Sequence, residues 1–328
     1  MIDLSTKYMG FTLKNPLIVG SSGLTNSVDG LVKAEKYGAA AVVLKSLFEE
    51  QIIHHINKLH QHNDVVYAYP EAEDYLNTYA KDQDIDIHLR LIEGAKKSIG
   101  IPVIASVNCA SSPEWITYAQ QMQNAGADAL ELNMFILPSN PKKTGEANEA
   151  VYFDIILQLI KQVKIPVSLK ISYYFSGLAN FVLKLSWTGI SGMVLFNRFY
   201  SPDIDIEKMQ VVAGHVFSTP DEIALPLRWV AMLSDRIQCD IAASTGIHDG
   251  AAVIKQLLAG AKAVQLASVL YKQGFEVMPK MIHTLEDWMT RHNYSKITDF
   301  QGKLSFKEAE DPAAYERVQF MKHFAGIE

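Results

Sequence analysis

Two cysteines, Cys109 and Cys239, are all that this 328-residue chain carries. So few thiols exclude a disulfide framework and cannot by themselves ligate an iron–sulfur cluster, so a one-electron relay has to come from a partner. Positive charge is also short. Thirty Lys and Arg stand against 36 Asp and Glu, a net charge of -6, which argues against a nucleic-acid partner because no basic field is present to neutralise phosphates. No stretch approaches the roughly 18–20 uninterrupted apolar residues of a membrane span, and Met1-Ile2-Asp3-Leu4-Ser5 shows no basic segment leading into an apolar run. A cytoplasmic protein off the membrane is expected.

The composition that remains, 48% hydrophobic and 20% charged, is that of an ordinary globular chain, long enough for one large α/β barrel or two medium domains. Short apolar strands alternate with helical segments. Pro16–Val19 is the first strand, Ala40–Leu44 the second, Pro102–Ala105 the third, Ala129–Leu132 the fourth, Pro166–Leu169 the fifth, Gly192–Phe196 the sixth, Ile241–Ala243 the seventh and Ala263–Leu266 the eighth. Helices are expected over 28–37, 86–97, 115–125, 150–163, 178–187, 222–234, 251–259 and 275–291. Eight such units without a linker predict a single α/β domain over residues 1–328, a (β/α)8 TIM barrel. A doubly wound open sheet is the competing architecture. It would ordinarily carry Gly-x-Gly-x-x-Gly after the first strand, where this chain has Gly20-Ser21-Ser22-Gly23. Three additions frame the barrel: an N-terminal hairpin over 1–14, expected to plug its bottom, a long insertion after strand 2 over 48–84, and a C-terminal extension over 305–328. The insertion holds His54, His55, His60 and His62. Their spacing matches no recognisable metal site, so a lid or partner-facing segment is expected and no metal.

In a barrel, the C-terminal ends of the strands converge on one mouth. There the chain places Ser21, Ser22, Lys45, Ser46, Asn108, Asn133, Lys170 and Asn197. The turns after the last two strands, Ser244-Thr245-Gly246 and Ala267-Ser268, have the small residues of a phosphate cradle, although small residues also simply close tight turns. Two lysines, several amides and a phosphate cradle suit a flat hydrogen-bonding ring with a phosphate tail, a flavin mononucleotide (FMN). Ion pairs at the rim are the alternative role for either lysine taken singly.

These residues resemble a known family. Asn15-Pro16 running to Ser22-Gly23, Lys45-Ser46, Glu131-Leu132-Asn133, Leu169-Lys170, Asn197, Ser244-Thr245-Gly246-Ile247, Gln265-Leu266-Ala267-Ser268 and the closing Asp299-Phe300-Gln301-Gly302-Lys303-Leu304 are similar, in order and spacing, to the FMN-binding motifs of dihydroorotate dehydrogenase. The similarity covers residues 1 to 305 and is greatest to the soluble branch of the family. It implies hydride transfer from dihydroorotate to flavin N5, giving orotate for pyrimidine biosynthesis. It also implies Lys170 and Asn133 on the flavin ring, Ser21, Ser22, Lys45 and Ser46 lining its pocket, and Ser244, Thr245, Gly246, Ala267 and Ser268 on its phosphate. Asn197 and Asn140, the latter on the loop with Ser139, are expected to face the substrate.

The chain departs from the family at the base. After Glu-Leu-Asn the family has x-Ser-Cys-Pro-Asn, or serine for cysteine, and that thiol or hydroxyl takes the substrate proton. Here the segment reads Met134-Phe135-Ile136-Leu137-Pro138-Ser139-Asn140, with Ile136 at the base position and no group that accepts a proton. Ser139 is the substitute expected for dihydroorotate, while Cys109, Tyr173 and Tyr174 are other groups near the mouth whose ordinary roles are packing. The loop around Phe217-Ser218-Thr219-Pro220 also replaces a family glycine. Two other readings stand beside dihydroorotate oxidation: a flavoprotein oxidoreductase for a different small molecule, and a barrel that binds without catalysis. The electron acceptor is unidentified. Related barrels are often homodimers, and Pro312–Glu328 is assigned either to such a partner or to its own barrel.

Overall fold

Short runs of Val, Ile, Leu and Ala, buried on both faces, build the central sheet. The computed structural model describes residues 2–48, 85–109, 116–198 and 202–316. Its parallel strands are Leu17–Val19, Ala41–Val43, Val103–Cys109, Ala129–Met134, Val167–Ile171, Gly192–Leu195, Asp240–Ser244 and Ala263–Leu266, called here barrel strands 1 to 8. Each pairs with the next in sequence, and strand 8 pairs with strand 1 through Val264↔Leu17 and Leu266↔Val19, closing an eight-stranded (β/α)8 barrel. Leu47–Phe48 adds a short strand beside strand 3. Burial on both faces explains the near-continuous apolar runs, because helices cover the outside and side chains fill the inside.

Inside the lower barrel, Ile18, Val43, Ile104 and Val194 meet Ala41, Ala129, Ala242 and Ala263. The alanines leave space that Tyr8, Met9 and Leu13 fill from the N-terminal hairpin, Thr6–Tyr8 paired with Phe11–Leu13. The hairpin turns at Met9-Gly10, both with positive φ (52° and 84°), the geometry that matches strand twist in a two-residue loop. Met9 N–H donates to Asp240 Oδ2 at 2.8 Å, and Thr6 Oγ1 to the Lys262 carbonyl at 2.8 Å. Gly192 is required where the plug enters, since a Cβ there would come within 2.9 Å of Met9 Cγ.

The outer helices are Val28–Lys36, Ile85–Ser98, Ile116–Asn124, Gly145–Ile160, Leu178–Ser186, Ala224–Leu233, Gly250–Ala259 and Val277–Arg291. Several begin at polar caps: Ser27 accepts from Gly30 N–H, Thr144 from Ala147 N–H and Asp249 from Ala252 N–H. The Thr144 cap starts its helix five residues before the expected Ala150. The last long helix, expected from Phe275, starts at Val277 and runs unbroken to Arg291. A short helix that was not expected, Ser268–Gln273, precedes it and ends at Gly274, whose φ of 75° suits glycine.

A second hairpin, Pro202–Asp205 with Gln210–Ala213, projects from the loop after strand 6. It was not expected, and it leaves Ile204, Ile206, Met209 and Val211 largely exposed. The closing segment lies on its own chain as far as it is described: Phe306 N–H donates to the Ala231 carbonyl, and Tyr315 OH to the Leu304 carbonyl at 2.6 Å. The insertion from Glu49 to Asp84, with its histidines, and residues 317–328 lie outside the described residues. Among the described residues, no helix is long and apolar enough to cross a membrane, and no cluster of His, Cys, Asp and Glu is suited to a metal.

Candidate active site

Sheet register brings the mouth residues level with one another. Asn108 pairs with Asn133 and Asn133 with Lys170 across strands 3, 4 and 5, and Ser244 pairs with Gln265 across strands 7 and 8. Polar residues on strands whose neighbours are all apolar need partners within the barrel, because an unpaired buried charge costs several kcal/mol.

Lys170 finds them. Its side chain is nearly buried, at 8% exposure, and Nζ donates to Gln265 Oε1 at 2.8 Å. Gln265 Nε2 donates in turn to Glu131 Oε2 at 2.5 Å, and Glu131 Oε1 lies 3.9 Å from the ammonium. One amide thus bridges a buried cation and a buried anion, its oxygen toward the first and its nitrogen toward the second. Each partner fixes the rotamer of the next. The ammonium has three hydrogens, so this arrangement leaves donors for a ligand in the mouth.

On the adjacent wall, Asn197 Nδ2 donates to Asn133 Oδ1 at 2.9 Å. A hydroxyl chain runs from Ser21 through Ser46 to Ser106, with Oγ–Oγ distances of 3.0 and 2.8 Å. Ser22 instead caps the short helix Gly23–Thr25, accepting from Leu24 N–H at 3.3 Å. Lys45 is half-buried, and burial pushes its ammonium pKa down from its ordinary value.

A cavity of about 360 Å³ opens from Lys170, Gln265, Ser21 and Asn197 to Ser244-Thr245-Gly246, Ala267 and Ser268. The seventh-strand turn is shaped by its backbone: Thr245 and Gly246 have φ of 79° and 76°. A Cβ at Gly246 would collide with the Ile223 backbone. Thr245 holds its costly conformation with a bond from Oγ1 to the Phe196 carbonyl at 3.2 Å.

The remaining wall is a loop fastened by Arg198. The guanidinium donates to the Val216 and His215 carbonyls at 2.8 and 2.7 Å and to Glu222 at 2.8 Å. Burial pushes the Glu222 pKa up, but hydrogen bonds from Arg198 and the Thr219 N–H outweigh it and hold the carboxyl below its ordinary value. Ser218, on this loop, bonds Ser268 and His248. Burial, then the Lys272 charge, pushes the His248 pKa down, partly offset by Asp249 and Glu222.

Ser139 and Asn140 stand apart from this cavity. Both are exposed on the loop after strand 4, where Asn140 Oδ1 accepts from Lys142 N–H at 2.9 Å. Ile136 is half-buried against the core, its N–H donating to Tyr152 OH at 3.2 Å. Tyr173 OH donates to Tyr174 OH at 3.5 Å, and that bond with burial pushes the Tyr173 pKa up to about 12. Cys109 ends strand 3. Glu131, Gln265 and Ser218 were read from sequence only within longer segments, with no role of their own, and Arg198 and His248 were not singled out. The signal for Glu131 and Gln265 was available: Gln265 is the one polar residue of its strand Ala263–Leu266, and Glu131 shares Ala129–Met134 with Asn133 among apolar residues.

The fold and its mouth define an α/β-barrel protein built to hold a hydrogen-bonding ligand against a buried lysine. A family model described as dihydroorotate dehydrogenase matches residues 3–289. The catalytic subunit named dihydroorotate dehydrogenase B (NAD(+)) of Thermoplasma acidophilum is 27% identical over 312 residues, covering 92% of this chain and 99% of the relative. Proteins of the same name from Methanocaldococcus jannaschii and Pyrococcus furiosus are 24% and 25% identical, over 88% and 92% of this chain and 94% and 98% of their own lengths. The chain belongs to the dihydroorotate dehydrogenase family. It is therefore a flavin-dependent oxidoreductase of the kind that acts on a CH–CH bond.

Proposed function

We propose that the chain binds FMN at the barrel mouth and oxidises dihydroorotate to orotate in the cytoplasm, passing electrons to a separate acceptor. The observation that carries the cofactor is the Lys170–Gln265–Glu131 bridge opening into the same cavity as the Gly246 turn. The donor set fits the group. A held cation and the amides of Asn133 and Asn197 suit a flat ring with carbonyl and imino edges. The small residues Ser244, Gly246, Ala267 and Ser268 leave space for a phosphate at the other end of the cavity. Ser21, Ser22, Lys45 and Ser46 belong to the pocket wall in this reading.

When bound, FMN supplies hydride acceptance from the substrate carbon and passage of the electrons onward. The protein's share is to hold and orient. Lys170 keeps a positive charge against the ligand, where burial strengthens it relative to water. Glu131 and Gln265 prevent the lysine from swinging away. Asn197 faces the substrate with its amide already fixed on Asn133, and Asn140 is assigned to the substrate loop. For dihydroorotate, Ser139 is the proposed proton acceptor, and a serine in that role needs an activating neighbour. With two cysteines in the chain, the acceptor is a separate molecule or subunit. The relatives' names, which call them catalytic subunits of NAD(+) enzymes, support the same arrangement.

One observation favours a second reading. Ile136 holds the base position and Ser139 is exposed beyond the cavity lining. A different unsaturated or cyclic amide as substrate, or an electron-transfer role that needs no side-chain base, would suit that mouth. Chromatography of the flavin released on denaturation tests the cofactor, with FMN expected and no flavin, even after reconstitution, contradicting it. Anaerobic reduction by dihydroorotate against other cyclic amides separates the two substrates.

A further inference from the structure

Three polar groups of Ser218 are committed within the protein. Its N–H donates to Ser268 Oγ at 3.0 Å, its carbonyl accepts from Lys272 Nζ at 2.8 Å, and its hydroxyl lies 3.0 Å from His248 Nε2. Ser218 and His248 are both buried, at 4% and 7% exposure. Ser218 nevertheless lines the cavity beside Ser268 and Gly246. Among the described residues, the lining includes the cations Lys170 and Arg198 and no carboxylate, so this wall is suited to an anion. Asp249 and Glu222 act on His248 from outside the lining, where Glu222 also pairs with Arg198 and Glu131 with Lys170.

The direction of the hydroxyl hydrogens decides what the wall can hold. Ser268 Oγ accepts from Ser218 N–H, so its own hydrogen is not used in that bond. Ser218 Oγ has the same freedom only while His248 carries hydrogen on Nε2 and donates to it. With Nε2 bare, the Ser218 hydrogen turns to the ring and the oxygen lone pairs face the ligand, which repels an anion. We propose that His248 is a positioning residue that turns the Ser218 hydroxyl hydrogen into the cavity, making Ser218 and Ser268 a two-hydroxyl grip on the phosphate of the flavin. This rests on the FMN reading above. Lys272, bonded to the Ser218 carbonyl, holds the loop and adds positive charge behind the grip.

The test uses the full chain stripped of flavin and titrated separately with FMN and with riboflavin, which lacks the phosphate, following flavin fluorescence. Ser218→Ala and His248→Leu are each expected to weaken FMN about tenfold or more, the scale of a hydrogen bond to a charged group, and to leave riboflavin binding unchanged. The double variant loses no more than either alone, because both remove one bond. His248→Gln, whose amide still donates, recovers part of the loss. Nitrogen NMR of His248 shows Nε2 protonated in the FMN complex. Unchanged FMN-to-riboflavin ratios in both single variants, or fully additive losses, overturn the inference. Equal binding of FMN and riboflavin by the unaltered chain overturns the phosphate reading itself and the grip with it. Riboflavin binding reports in every case that the variant has folded.

Discussion

Lys170 and Gln265, 95 positions apart in the chain, meet through a 2.8 Å bond from the ammonium to the amide oxygen inside the barrel mouth. Glu131 completes the bridge from a third strand. A cation, an amide and a carboxylate with almost no solvent contact form one unit, so their replacement is strongly coupled.

Lys170→Ala leaves Glu131 buried without its counter-charge and is expected to cost about 3–5 kcal/mol of stability. It also abolishes flavin binding. The double variant Lys170→Ala with Glu131→Gln removes the stranded charge and regains most of the stability without regaining the flavin. Urea denaturation read beside flavin fluorescence separates the two effects, and a double variant as unstable as the single one would argue against the coupled unit.

Gly246→Ala places a Cβ into the Ile223 backbone at a φ of 76°. A loss of about 1–3 kcal/mol is expected from the conformation alone, with a larger loss in FMN affinity than in riboflavin affinity. Thermal melting and flavin titration read the two quantities.

His88, on the helix Ile85–Ser98, supplies a pH dependence away from the mouth. It is buried at 8% exposure, and burial pushes its pKa from 6.5 to about 4. The folded chain therefore keeps His88 neutral where the unfolded chain protonates it. Its stabilising contribution is complete above pH 6.5 and is lost as pH falls from 6.5 towards about 4, on the order of 3 kcal/mol in all. In His88→Gln, stability measured by urea denaturation should fall less steeply across that window, and an unchanged slope would reject this assignment.

Ser139→Ala is expected to slow flavin reduction by dihydroorotate about 100-fold or more, the scale of a lost general base, with flavin binding unaffected. Ile136→Cys restores a thiol at the family's base position and is expected to speed the same step. Stopped-flow absorbance measures both. If Ser139→Ala reduces its flavin at the original rate, proton removal does not pass through that hydroxyl.

The barrel was legible because its strands are buried on both faces, so Pro16–Val19, Pro102–Ala105 and Pro166–Leu169 read as apolar runs whatever surrounds them. Lys170 and Asn133 were legible for the complementary reason: each is a polar residue ending such a run. Their partners were not, because the bond from Gln265 to Glu131 spans 134 positions and Ser218 to His248 spans 30. Local pattern carries no information about pairing at that range. The Pro202–Ala213 hairpin was missed because its strands are short and have no buried face, although Asp203-Ile204-Asp205-Ile206 alternates as a strand does and Ile204 pairs with Val211. Ser22 was placed by its position at the end of strand 1, whereas its hydroxyl is used by a capping bond one turn on.

The most direct test is the anaerobic visible spectrum of the flavin-loaded chain before and after adding dihydroorotate. Loss of the flavin absorbance band within seconds to minutes, and its return on admitting oxygen or another acceptor, is the predicted result. A band that persists with dihydroorotate yet disappears with dithionite would contradict dihydroorotate as the substrate while leaving the flavin site intact.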